Sequence, residues 1–206
     1  DPKGQTPSTP AHRSVAWLAR SHALTVLPAV SSLKALRRVA RPSAARLPMI
    51  GFGNPLLDGD QSHAQHGAYY KRQAQLARDK QRCRETVAPR VATLFSPRPA
   101  VEPVNTRGGL AELALLKVQS PLPETADELC AVARDLKSDA GEMRLGARAT
   151  EREVKALSAS GRLAQYRIVH FATHGLLAGQ LTGTREPGLI LSPPATASEQ
   201  DDGYLS

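Results

Sequence analysis

The 206-residue sequence predicts an α/β fold with a mostly parallel sheet and flanking helices, on three observations. The stretch from Tyr166 to His174 carries Ile168, Val169 and Phe171 in a short apolar run that stops at a polar His-Gly pair, the pattern of a buried strand suited to parallel pairing. Strand-like runs alternate with amphipathic helical ones through the second half, and that order implies a parallel sheet with right-handed crossovers. With 41% hydrophobic residues, the chain can bury one core of ordinary domain size.

Residues 1–11 are rich in Pro, Gly, Ser and Thr and read as a linker ahead of a domain over 12–206. His12 to His22 sets Val15, Leu18 and Ala19 at helical spacing, with Trp17 as an anchor. Leu24–Leu27 is a short strand stopped by Pro28. Ser31 or Ser32 then caps a helix that uses Leu33, Leu36 and Val39 and ends before Pro42. Met49–Phe52 is a strand, and Gly53-Asn54-Pro55 is turn chemistry. From about 58 to 108 the sequence reads as a basic, Pro-rich, mobile insertion whose role is unreadable. Gln61 to Glu85 has good helix formers but few apolar residues, so a helix there is weakly held or solvent-exposed. Thr86 to Gly109, with Pro89, Pro97, Pro99 and Pro103, reads as an extended crossing or a loop.

Order returns at Leu110, where Leu113, Leu115 and Val118 lie on an apolar run that predicts a strand. Thr125 and Glu128 make a capping box ahead of a helix in which Leu129, Val132, Ala133 and Leu136 repeat at i, i+3, i+4 and i+7. Glu142–Leu145 is a short strand. Thr150 and Glu153 make a second capping box, opening a helix with Val154 and Leu157 inward. The strand ending near His174 follows, and an open parallel sheet collects its chemistry at the carboxyl ends of its strands. His174 is therefore a candidate general acid/base, set against the plainer reading of a buried, hydrogen-bonded strand-end histidine. Gly175 lets the backbone turn sharply and lets its own N–H approach a ligand without a Cβ in the way. Leu176 to Arg185 reads as a loop beside the site, Gly188–Leu191 as a strand in a flanking hairpin, and Ser198–Gly203 as an acidic turn. Tyr204-Leu205-Ser206 starts a further element, and no internal repeat is visible.

The net charge of +8 is unevenly placed. Residues 1–108 hold 17 basic and 6 acidic residues, for +11, whereas residues 109–206 hold 10 and 13, for −3. Such a basic half attracts nucleic acid or an acidic surface, or is simply a solvated face. No aromatic-interleaved basic motif accompanies the charge, so specific nucleic-acid binding is not expected. No apolar run reaches the length of a membrane span, and no signal peptide opens the chain. Asp1 is not an initiator methionine, which suggests a cut from something longer. The two cysteines, Cys83 and Cys130, fit a reduced compartment better than a disulfide scaffold, with cytoplasm as the default.

Several constellations fail on chemistry. On a strand at roughly 3.3 Å per residue, His170 and His174 stand about 13 Å apart, too far to share an ion, and no metal is expected there. His63 and His66 have no carboxylate or cysteine joining them in sequence and read as solvated. Neither G-x-S-x-G nor a phosphate-binding G-x-x-x-x-G-K-[ST] occurs, and Gly51-Phe52-Gly53 lacks a third glycine, so no cofactor is expected. A nucleophilic thiol needs a stabilised thiolate and an imidazole within reach. Cys130 lies near the apolar face of a helix and Cys83 in the insertion, so neither fits.

Val169-His-Phe-Ala-Thr-His-Gly-Leu176 resembles the histidine motif of CHAT domains, a caspase-like cysteine peptidase family associated with tetratricopeptide repeats. Five other stretches match in order: Leu24–Leu33, Ile50–Leu56, Leu122–Leu129, Gly146–Glu151 and Glu186–Leu191. Together they cover roughly residues 14–206. The resemblance implies a three-layer caspase-like fold, C-terminally incomplete, that hydrolyses a peptide bond in a polypeptide substrate. It implies His174 as the catalytic imidazole and the Gly175 N–H as an oxyanion donor, with Thr173 in packing. The family's nucleophile is a cysteine at the end of the following strand, in a Ser-Ala-Cys-like sequence that these residues lack. A non-catalytic scaffold beside helical repeats is the alternative. Cleavage specificity, activating signal and oligomeric state are not readable.

Overall fold

The computed structural model describes residues 43–84, 110–177 and 186–206, together with the backbone of two short strands at 104–107 and 181–182. The chain forms two compact units, Asp1–Ser43 and Ala44–Ser206, and every element below belongs to the second. The linker, the two helices and the strand expected before residue 43, and the Pro-rich run up to residue 103, lie outside the described residues.

Strand β1 (Leu47–Gly53) is the middle of a three-stranded parallel sheet, with β4 (Met143–Leu145) on one side and β5 (Tyr166–Ala172) on the other. Gly53 lies opposite Leu145 in β4 and Ala172 in β5, so all three strands stop at one level. Side chains along β1 alternate between two cores, as a pleated strand requires. Met49 packs with Leu129 and Ala133 of helix α3 (Glu124–Asp135), while Ile50 and Phe52 pack with Val154 and Leu157 of helix α4 (Glu151–Ala159). Helices thus cover both faces, as expected for the α/β class. A Cβ on Gly51 or Gly53 would lie 2.9 and 2.6 Å from the Leu129 methyls, so glycine at both positions lets α3 seat closely on the sheet.

The first half holds helix α1 (Gly67–Asp79), strands β2 (Val104–Arg107) and β3 (Leu110–Ala111), and helix α2 (Leu113–Lys117). The second continues after β5 with β6 (Gly175–Leu176), β7 (Leu181–Thr182), β8 (Gly188–Ile190) and β9 (Tyr204–Leu205). These make two further small sheets, ordered β3-β2-β7 and β6-β8-β9, the second wholly antiparallel. A third core of Leu57, Leu116, Leu176, Ile190 and Tyr204 lies under them.

Four expectations are corrected. The run at Leu113–Lys117 is helix α2, because alanine and leucine are strong helix formers and one face suffices to bury Leu116. Thr125 is not a capping residue. Pro123 occupies the N-cap, and the Thr125 hydroxyl donates to the Leu122 carbonyl (2.7 Å) while accepting the Asn54 N–H (2.8 Å). Thr150 does cap α4, accepting the Glu153 N–H at 3.2 Å. Among the described residues β5 is an edge strand, so Ile168 to Phe171 are only half-buried where a fully buried strand is expected. The helix expected over Gln61 to Glu85 as weakly held or solvent-exposed is α1, which buries only Gly67, Ala74 and Ala77 and exposes most of its other residues. Finally, Cys83 and Cys130 form a disulfide, with their Cα atoms 5.5 Å apart. The chain leaving α1 passes over α3, and nothing in their spacing of 47 residues announces that meeting.

Candidate active site

Beyond the carboxyl ends of the parallel strands, three loops meet a crosspiece made by residues 190–192. The loop after β5 is Thr173-His174. The Thr173 hydroxyl donates to the Ile190 carbonyl, and the Ile190 N–H donates to the His174 carbonyl at 2.9 Å. Ser192, buried, binds the other two loops. Its hydroxyl accepts the Leu56 N–H (2.9 Å) after β1 and donates to the Gly146 carbonyl (2.7 Å) after β4. Its own N–H donates to the Ala149 carbonyl at 2.8 Å.

His174 is half-buried on this rim, neither enclosed in the core nor on a helix. Its Nε2 lies 2.7 Å from the Ser120 carbonyl oxygen. A carbonyl only accepts, so Nε2 carries a hydrogen, and in the neutral ring Nδ1 is the basic nitrogen. The carbonyl is itself held. The Lys117 carbonyl accepts the N–H groups of Asp58 (2.7 Å) and Gly59 (3.1 Å), and the Gln119 carbonyl accepts the Gly59 N–H at 3.1 Å. Gly59 has φ +69°, and a Cβ there would strike the Tyr70 ring at 2.7 Å, so the elbow that fixes this segment requires glycine.

Gly175 is exposed and begins strand β6, with no positive φ. A Cβ would meet only Leu189, at 3.8 Å. Gly175 sits opposite Leu189 in a non-hydrogen-bonded pair, flanked by the Ile190-to-His174 bond. In that position an N–H points away from the partner strand, here toward the side of β6 that pairs with no other strand among the described residues.

Acidic groups brace the rim from behind. Glu151, buried, accepts the N–H groups of Asp202 (2.7 Å) and Gly203 (3.2 Å) and pairs with Lys155 at 2.6 Å. Burial pushes the Glu151 carboxyl up, the Lys155 ammonium and the Asp202 N–H oppose that shift, and the Asp202 charge adds to it. Asp202 accepts the N–H groups of Ala111 (2.7 Å) and Tyr204 (2.9 Å).

Sequence reasoning placed His174 and Gly175 together but missed what surrounds them. Ser120 acts through a carbonyl that any residue carries, so no residue type marks it. Asn54 was legible only as a turn residue. It takes φ 51°, and its buried amide donates to the Ala77 and Lys80 carbonyls at 2.7 and 3.0 Å. Cys83 and Cys130 offer no thiolate while joined. His63 and His66 stack at 4.8 Å on the turn before α1, where His63 Nδ1 accepts the Gln65 and His66 N–H groups. No helix among the described residues is long and apolar enough to cross a membrane.

A family model described as the CHAT domain matches residues 4–206. No curated protein and no solved structure matches the chain.

Proposed function

The chain belongs to the CHAT domain family, and from that premise we propose that it is the histidine-bearing part of a caspase-like cysteine endopeptidase whose nucleophilic cysteine lies beyond Ser206. The observation that carries the reading is the 2.7 Å contact from His174 Nε2 to the Ser120 carbonyl, which fixes the ring and its tautomer. Fixing a base by a hydrogen bond on its far nitrogen is how an imidazole is prepared for proton transfer. That β5 is an edge strand among the described residues supports the reading too, since a further parallel strand docked there would end level with His174.

In this mechanism the thiolate attacks the scissile carbonyl carbon of a polypeptide. The oxygen that becomes negative is met by the Gly175 N–H and the N–H of the cysteine. His174 protonates the departing amine, then takes a proton from water as that water attacks the thioester, releasing the acid and restoring the thiol. Thr173 positions the ring through Ile190 and does no chemistry. Residues 1–206 alone therefore turn over no substrate. Tetratricopeptide repeats, in the same chain or on a partner, are the associated module the family suggests. The cytoplasmic placement rested on reduced cysteines, and the disulfide removes that support.

The test is a cysteine-directed probe on a chain extended past Ser206. Labelling that His174→Ala abolishes, with Gly175→Ala slowing turnover at unchanged melting temperature, is the expected result. Labelling indifferent to His174, or a protein with no reactive cysteine after Ser206, overturns the reading. The second reading, a scaffold without chemistry, is favoured by one observation: both cysteines of these residues are locked in the disulfide.

A further inference from the structure

We propose that the Cys83–Cys130 disulfide is a thiol-exchange site for a small anionic thiol, and that opening it loosens the Asn54 turn at the carboxyl end of β1. The inference stands apart from the peptidase reading and needs no nucleophile beyond Ser206.

Both cysteines pack against the margin of the core that holds Leu129, and both are only half-buried. Their electrostatic surroundings differ. Cys83 stands between Arg82 and Arg84, both exposed. Cys130 has Asp127 and Glu128 on the preceding turn of α3, with Arg134 one turn on, and Asp127 already pairs with Lys80 at 2.5 Å. A thiol with net negative charge is drawn to the Cys83 end. Its thiolate attacks the Cys83 sulfur, forming a mixed disulfide as the bond to Cys130 breaks. The electron pair leaves on the Cys130 sulfur, which takes a proton from water. A second thiolate attacks the adduct and releases Cys83, so two small thiols are oxidised to one disulfide and both cysteines are reduced.

The bond spans two anchors of one turn. The Lys80 carbonyl, which accepts the Asn54 amide, lies three residues before Cys83. The Thr125 hydroxyl, which accepts the Asn54 N–H, lies five residues before Cys130. With the disulfide closed, α1 and α3 clasp a buried left-handed asparagine from both sides. With it open, α1 keeps its hydrogen bonds but loses its covalent hold.

The experiment opens the oxidised full chain at low ionic strength with reduced glutathione or with cysteamine, each rate normalised to thiolate concentration. Acid-quenched samples locate the adduct by mass spectrometry, and hydrogen exchange follows the Asn54 amide. We expect glutathione to react several-fold faster, adducts on Cys83, an advantage erased by salt or by Arg82→Gln with Arg84→Gln, and at least tenfold faster Asn54 exchange after reduction. Equal normalised rates, or adducts on Cys130, overturn the exchange site. Unchanged Asn54 exchange overturns its coupling to the turn. The wild-type comparison of the two thiols decides the first point even if the arginine variants fold poorly.

Discussion

Helices α1 and α3 are nearly the same length, 13 and 12 residues, yet different forces hold them. Helix α3 buries Leu129, Ala126 and Ala133 on one stripe and has Glu124 and Asp127 in its first turn, where acidic groups favour the helix dipole. Helix α1 has no acidic first turn and no side-chain cap, and beyond Gly67 it buries only two alanines. Partners distant in sequence fix it instead: the Asn54 amide at its last carbonyls, the Lys80–Asp127 pair, and the disulfide just past its end. A helix fastened from outside looks unattached when its own residues are read alone.

The contrast can be broken from either side. The largest effect is expected at the disulfide. Replacing Cys83 and Cys130 by serine frees a loop of 47 residues, which chain entropy values at about 4 kcal/mol, and the loss should concentrate in α1. Denaturant unfolding gives the total, and hydrogen exchange tells whether α1 frays while α3 stays protected. Next, Leu129→Ala removes the side chain that fills the space over Gly51 and Gly53, at about 3 kcal/mol. Here α3 and the sheet should lose protection together, and an effect confined to α1 would contradict the assignment. Asn54→Ala strands two carbonyls and forces alanine to φ 51°, for about 2 kcal/mol. Asn54→Gly keeps the backbone relaxed, so the difference between the two variants isolates the strain.

The smallest effect lies in the pH dependence of the acidic brace. Burial raises the Glu151 carboxyl, so the folded state binds that proton more tightly than the unfolded chain does. The resulting stability is fully present below the ordinary glutamate range and is lost as pH rises through the raised value. Glu151→Gln should flatten that slope in urea midpoints measured across acidic pH. A slope unchanged by the substitution would mean the shift lies elsewhere.

Legibility in the sequence followed the same division. Strands β1, β4 and β5, the Leu129 stripe and the Thr150 cap were readable because each is written in local periodicity or in a local side-chain bond. The site was half-readable: His174 and Gly175 sit at a strand end, but the Ser120 carbonyl that orients the ring is a backbone group 54 residues away. The disulfide was misread because compartment was inferred from a count of cysteines, which carries no distance. Likewise Thr125 looked like a cap by spacing, yet Asn54 claims its oxygen through the fold.

One consequence follows from Ile190, Leu191 and Ser192. Because this short segment is bonded to the loops after β1, β4 and β5 alike, those loops cannot be tuned one at a time. Lengthening either of the first two displaces the imidazole through a lever three residues long, so variation in sequence should reach His174 from positions that never touch it.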